Sequence, residues 1–221
     1  MNAHPVTERD VLINAAGPDL PGILGVPPGA SGVVLFAHGS GSGRHSPRNN
    51  LVAHSLQREG LATMLVDLLT EREAADRRSV FNIRLLAQRL LAVTAWLRRD
   101  PATSELPVGY FGASTGGGAA LVAAAEAGDI GAVVSRGGRP DLAGPALTRV
   151  TCPVLLIVGG NDPQVVALNQ EAMAELRVPK ELAIIPGATH LFEEPGALER
   201  VARLAGAWFT RYLGHPGAAD R

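Results

Sequence analysis

The segment Pro107 to Gly118, PVGYFGASTGGG, holds the first residues whose spacing could do chemistry. Gly112-Ala113-Ser114-Thr115-Gly116 fits G-x-S-x-G, a strand-turn-helix elbow that lifts a serine above the end of a sheet. So sharp a turn strains the serine backbone and leaves no room for side chains two residues before and after it. Glycine at both flanks relieves that clash. The helix start beside Ser114 adds free N–H groups and positive dipole, which suit a developing oxyanion. A glycine-rich phosphate cradle is the competing reading, but no G-K-[ST] follows Gly116, and Lys180, the only lysine, lies far downstream. A plain packing turn is the other, and it is weighed by looking for partners.

A serine nucleophile needs a base, and the base needs an orienting acid. Gly159-Gly160-Asn161-Asp162-Pro163 follows a buried apolar run, and Pro186-Gly187-Ala188-Thr189-His190 follows the last strand of the chain. Both therefore reach the same rim as Ser114. In that set His190 takes and returns the proton, while Asp162 fixes the imidazole tautomer. Asp141, after the preceding strand, is the reserve acid. The N–H of Thr115, the residue after the nucleophile, is the expected first oxyanion donor.

The elements that must carry these residues can be read from hydrophobic pattern. Residues 6–13 and 20–26 read as two short antiparallel strands joined by the turn Ala16-Gly17-Pro18-Asp19. Val33 to Ala37 reads as a strand buried on both faces, Ala62 to Asp67 and Val154 to Val158 as further buried strands, and Val108 to Ala113, Ile130 to Ser135 and Leu182 to Ile185 as the remaining strands. Helices are expected over 47–59, with Ser46 as cap and Pro47 at the first position, and over 116–127, 164–176 and 195–213. A further helix is expected from near Ser79 to Asp100, because Phe81, Leu85, Leu86, Leu90, Val93 and Leu97 recur at helical spacing. Alternating strands and helices predict an α/β domain with a mostly parallel sheet covered on both faces, whose sites gather at the carboxyl ends of strands.

At 221 residues and 46% hydrophobic, the chain suits a single domain over 1–213, with 214–221 as a loose tail. A net charge of −1, from 20 basic and 21 acidic residues, gives no electrostatic basis for nucleic acid or an anionic membrane. MNAHPVTERD has no apolar signal core and no stretch is long enough to span a membrane, so a cytoplasmic protein is expected. Cys152, the only cysteine, reads as a small buried residue, and no Cys/His cluster suggests a metal or cofactor.

Four motifs taken together, HGSGSGRHSPRN at 38–49, GASTGG at 112–117, GGNDP at 159–163 and GATHLF at 187–192, resemble an α/β-hydrolase of the dienelactone-hydrolase-like group. The order Ser114, Asp162, His190 is the one that fold uses. The resemblance implies a second oxyanion donor in the loop after Val33–Ala37, at the N–H of Ser40 or else Gly41. It departs at the nucleophile, where dienelactone hydrolases proper carry cysteine, and Ser114 leans toward a serine esterase. The short span from Ser135 to Thr151 leaves no room for the cap domain many relatives insert, so an open pocket is expected. His38, Arg44 and Arg136 are candidates for substrate binding, with structural roles as their alternative. The expected partner is a small ester. Lactone or thioester hydrolysis by the same residues, and a non-catalytic binding role on this fold, stay open.

Overall fold

The computed structural model describes residues 6–15 and 17–214. The expected turn residue Ala16, His4, His215 and all of the tail except Gly214 lie outside the described residues. The strands are β1 (Thr7–Asn14), β2 (Asp19–Val26), β3 (Val33–Ala37), β4 (Ala62–Val66), β5 (Val108–Ala113), β6 (Ala132–Arg136), β7 (Val154–Gly159) and β8 (Lys180–Ile185). They form one sheet in the order β1-β2-β4-β3-β5-β6-β7-β8. β1 and β2 pair antiparallel and β2 joins β4 antiparallel, while every other neighbouring pair is parallel.

Pleating divides each central strand between two cores. Val33, Leu35, Val154 and Leu156 face one cluster, beneath α4 (Ile83–Leu97) and α5 (Thr115–Ala127). Val34, Phe36, Leu155 and Ile157 face the other, beneath α1 (Pro47–Arg58) and α7 (Ala197–Leu213). This explains the unbroken apolar runs: both faces of β3, β4, β5, β6 and β7 are buried. Ser46 caps α1 through its Oγ, which accepts from Asn49 N, and Pro47 takes the first turn.

The segment before α4 differs from the single helix expected from Ser79. Two four-residue helices, α2 (Glu71–Ala74) and α3 (Arg77–Val80), precede it. Three successive caps divide the stretch: a Thr70–Glu73 capping box, Asp76 over Arg78 N, and Asn82 over Leu85 N. Phe81 therefore falls outside α4 and is exposed, beside Arg77. Between β6 and β7 the chain forms a 3-10 segment, Pro140–Arg149, kinked at Gly144, which packs on α5 and on α6 (Pro163–Glu175). Among the described residues, no helix is long and apolar enough to cross a membrane.

Candidate active site

β5 delivers Ser114 at φ 52° and ψ −121°, a region L-residues rarely occupy. The turn is held by its own backbone: Ser114 N donates to Arg136 O at 3.2 Å, and Ser114 O accepts from Gly117 N at 3.0 Å and Arg139 N at 3.1 Å. The flanking glycines are required by contact. A Cβ on Gly112 would lie 2.5 Å from Gly116 O, and one on Gly116 would lie 2.1 Å from Ala37 O. Strand, helix and the end of β3 meet there without space for a methyl.

β7 and β8 bring in the other two side chains. Asp162 caps α6, with Oδ1 accepting from Val165 N at 3.4 Å, and its Oδ2 accepts from His190 Nδ1 at 2.8 Å. His190 Nε2 stands 3.3 Å from Ser114 Oγ. With Nδ1 donating to the carboxylate, Nε2 is left as the acceptor for the serine proton. The arrangement can thus draw a proton from Ser114 toward His190 and balance the resulting imidazolium with Asp162. Asp141 stays out of it: Arg139 binds it through Nε at 2.8 Å and Nη2 at 2.7 Å.

The loop after β3 presses against the nucleophile, because a Cβ on Gly39 would meet Ala113 O and Ser114 Cβ, each at 3.0 Å. Ser40 lines the same cavity as Ser114 and His190, of about 240 Å3. Gly41, at φ 67°, lines only neighbouring cavities. The N–H of Thr115 opens α5, where the first turn has no intrahelical acceptors.

Two expected substrate-binding residues have other work. Arg44 pairs with Asp67, through both its guanidinium and its backbone N–H, and so fastens the loop after β3 to the end of β4. A charge already matched by a carboxylate has little left to offer a ligand. His38 is buried: its Nδ1 donates to Gly39 O at 3.0 Å and its Nε2 accepts from Leu68 N at 2.9 Å. Both ring nitrogens are used, and burial pushes its pKa down. Arg136, by contrast, lines the Ser114 cavity.

Two positioning residues, Asn161 and Asn169, escaped the sequence reading. Asn161 ties the acid loop to the histidine loop, donating from N to Ala188 O and from Nδ2 to Gly187 O, each at 2.9 Å. The buried Asn169 on α6 donates to Gly138 O at 3.0 Å, anchoring the turn that braces Ser114. Arg48 reaches the cavity from α1 and pairs with Glu193 at 3.1 Å. Asn161, inside GGNDP, could have been suspected as a turn former. Asn169 gave no signal, since its role is set by a strand far away in sequence. Cys152 is buried, and burial pushes its thiol up to about 11. Among the described residues, no group of three or more His, Cys, Asp or Glu side chains could hold a metal ion.

The family model of the dienelactone hydrolase family matches residues 20–211. This chain belongs to the dienelactone hydrolase family. A solved dienelactone hydrolase from Anabaena variabilis is 57% identical, with a TM-score of 0.91 over 95% of this chain and 99% of that one. The esterase Est1E from Butyrivibrio proteoclasticus shares the α/β-hydrolase fold, with a TM-score of 0.79 at 18% identity over 92% of this chain and 98% of its own. Two Mycobacterium tuberculosis strains carry a protein named "Putative phosphoribosyl transferase" that is 56% identical over 214 residues, 96% of this chain and 48% of theirs. The chain thus spans about half the length of the curated relatives it matches.

Proposed function

We propose that this protein is a serine hydrolase of small carboxylic esters that works through an acyl-enzyme. The observation that carries the reading is the continuous chain Ser114 Oγ, His190 Nε2, His190 Nδ1, Asp162 Oδ2, with links of 3.3 and 2.8 Å. His190 accepts the Ser114 proton as Oγ attacks the ester carbonyl, and the carbonyl oxygen gains the negative charge. The N–H groups of Thr115 and Ser40 stabilise that charge. As the tetrahedral intermediate collapses, His190 returns the proton to the departing alkoxide. Water then repeats the sequence on the acyl-serine and releases the acid.

Family membership supports hydrolysis, and the Anabaena relative brings a cyclic ester into consideration, which the same steps open equally well. The transferase name belongs to proteins about twice as long, and Ser114, His190 and Asp162 offer a nucleophile and base rather than a phosphate cradle. A small slot of about 90 Å3 beside Thr115 and Ser40, walled by Leu69, Ala74, Val80 and Leu86, favours a short apolar group. Wild type and Ser114→Ala should be compared on p-nitrophenyl esters of increasing length and on a small lactone. Turnover should be highest for acetate to butyrate, and Ser114→Ala should lose on the order of 10⁶ in kcat without unfolding. Equal turnover by the mutant removes the nucleophile, and a maximum at decanoate removes the short-chain reading.

A further inference from the structure

Among the described residues, only two that are not glycine hold a positive φ: Ser114 at 52° and Phe192 at 56°. The first is the nucleophile, and the second follows the base by two residues. A bulky aromatic residue is a genuine outlier in that region of backbone space, and such outliers persist only where the surrounding fold holds them. Burial holds this one. Phe192 is 1% exposed, and its ring belongs to the core cluster beneath α1 and α7. Its N–H donates to Thr189 O at 3.2 Å and closes a tight turn with His190 and Leu191 at the central positions. His190 therefore rides on the turn, Leu191, 40% exposed, stands on the wall of the Ser114 cavity, and Phe192 enters the core. The positive φ is the bend at which the chain leaves the turn for that core.

The base and the buried ring rest on the same piece of backbone. A Cβ on Gly137, just past β6, would lie 3.2 Å from His190 O, 3.5 Å from His190 Cε1 and 3.4 Å from Phe192 Cε2. That backbone is itself fixed, since Gly137 N donates to Ile157 O at 2.7 Å. The Phe192 ring centroid also lies 5.8 Å from the guanidinium carbon of Arg136, whose carbonyl accepts from Ser114 N at 3.2 Å. Nucleophile and base are thus both referred to the end of β6. We propose that Phe192 is a positioning residue for His190, a core peg that seats the turn 189–192 on Gly137 and so sets the 3.3 Å approach of Nε2 to Ser114 Oγ. Asn161 ties the start of this loop, and Phe192 fixes its end. The inference rests on the serine-hydrolase reading above and adds what aims its base. Displacing a reacting group by about 1 Å costs on the order of 100-fold in rate, whereas ground-state binding that does not involve the imidazole is kept. Loss of the peg should therefore appear in kcat and not in KM.

The test measures kcat and KM on p-nitrophenyl butyrate, with urea unfolding alongside, for Phe192→Ala, Phe192→Gly and Phe192→Leu. Phe209→Ala is the control, a fully buried aromatic of the same cluster on α7. Phe192→Ala should lose about 10–100-fold in kcat with KM little changed, and Phe192→Leu should recover most of it. Glycine accepts this φ freely, so Phe192→Gly should fold at least as well as the alanine form and yet lose as much kcat. Phe209→Ala should lower stability and keep kcat. A double-mutant cycle with His190→Ala should give a coupling nearly as large as the Phe192→Ala effect itself, since without the imidazole nothing is left to aim. If Phe192→Ala lowers kcat no more than Phe209→Ala, Phe192 is core packing alone and the peg is overturned while the hydrolase reading stands. Should the wild type hydrolyse no ester, the His190 Nδ1 proton resonance, assigned by its absence in His190→Ala, still reads the placement. Its loss in Phe192→Ala but not in Phe209→Ala supports the peg and overturns the hydrolase reading alone, and its retention in Phe192→Ala overturns the peg. Should the alanine forms not fold, the leucine forms at both positions decide, with kcat lowered severalfold at 192 and unchanged at 209.

Discussion

At the scale of single residues, the account depends on which carboxylate orients His190. Asp162 is 2.8 Å from His190 Nδ1, while Asp141 is bound by Arg139. Asp162→Asn should lower kcat by up to ~10⁴ in a folded protein, because an amide sets the wrong imidazole tautomer. Asp141→Asn should change kcat little and cost only part of a half-exposed ion pair. Steady-state kinetics on one ester with both variants checks this, and the reverse pattern moves the acid to the 3-10 segment. Ser114, Asp162 and His190 were legible because each follows the carboxyl end of an apolar strand, two of them buried throughout and β8 only in part, so their order placed them on one rim. The arginines were not. Whether a guanidinium is free or matched depends on a carboxylate brought from another element, and no local pattern tells Arg44, held by Asp67, from Arg136, held by none.

At the scale of elements, the elbow works because β5, α5 and β3 touch backbone to backbone. Gly116→Ala would set a methyl 2.1 Å from Ala37 O, where backbone on both sides cannot give way. The substitution should destabilise the protein by about 3 kcal/mol or more, in the range of severe overpacking. Gly17→Ala, where a Cβ would meet only Ala15 O at 4.0 Å, should shift stability by less than about 1 kcal/mol. Urea unfolding of both variants measures the contrast, and equal effects would contradict the close-approach argument. The sequence announced this contact through glycines two residues either side of the serine. It did not announce α2 and α3, since four-residue helices are too short to show a period and are set by caps instead. Phe81 fitted the α4 stripe by spacing, yet Asn82 starts that helix after it.

At the scale of the whole molecule, His38 links two strands and, through them, stability to pH. Burial is the main cause of its lowered pKa, outweighing the raising effects of the Gly39 carbonyl and Asp67. The unfolded chain therefore takes up a proton near the ordinary value of 6.5 while the native state does not, so stability is full above that pH and falls as pH drops below it. Each pH unit within the window between the unfolded and folded pKa costs up to about 1.4 kcal/mol. Urea unfolding at about pH 7.5 and about pH 5.5 should show a larger acid loss in the wild type than in His38→Asn, which has no proton to gain there. An equal loss in both would assign the acid sensitivity to other groups. The architecture itself was readable from the sequence because nearly every central strand is buried on both faces and announces itself as an apolar run. β1, mostly exposed at the sheet edge, was legible through its turn with β2 instead.

Reaction with a fluorophosphonate, mapped by mass spectrometry, tests the central claim most directly. An activated Ser114 Oγ displaces fluoride and forms a stable bond to phosphorus, needing only the nucleophile and its base. The account predicts stoichiometric labelling on the peptide containing Ser114, slowed greatly in His190→Ala and absent in Ser114→Ala. A folded wild-type protein that does not label, or that labels at another residue, would contradict it.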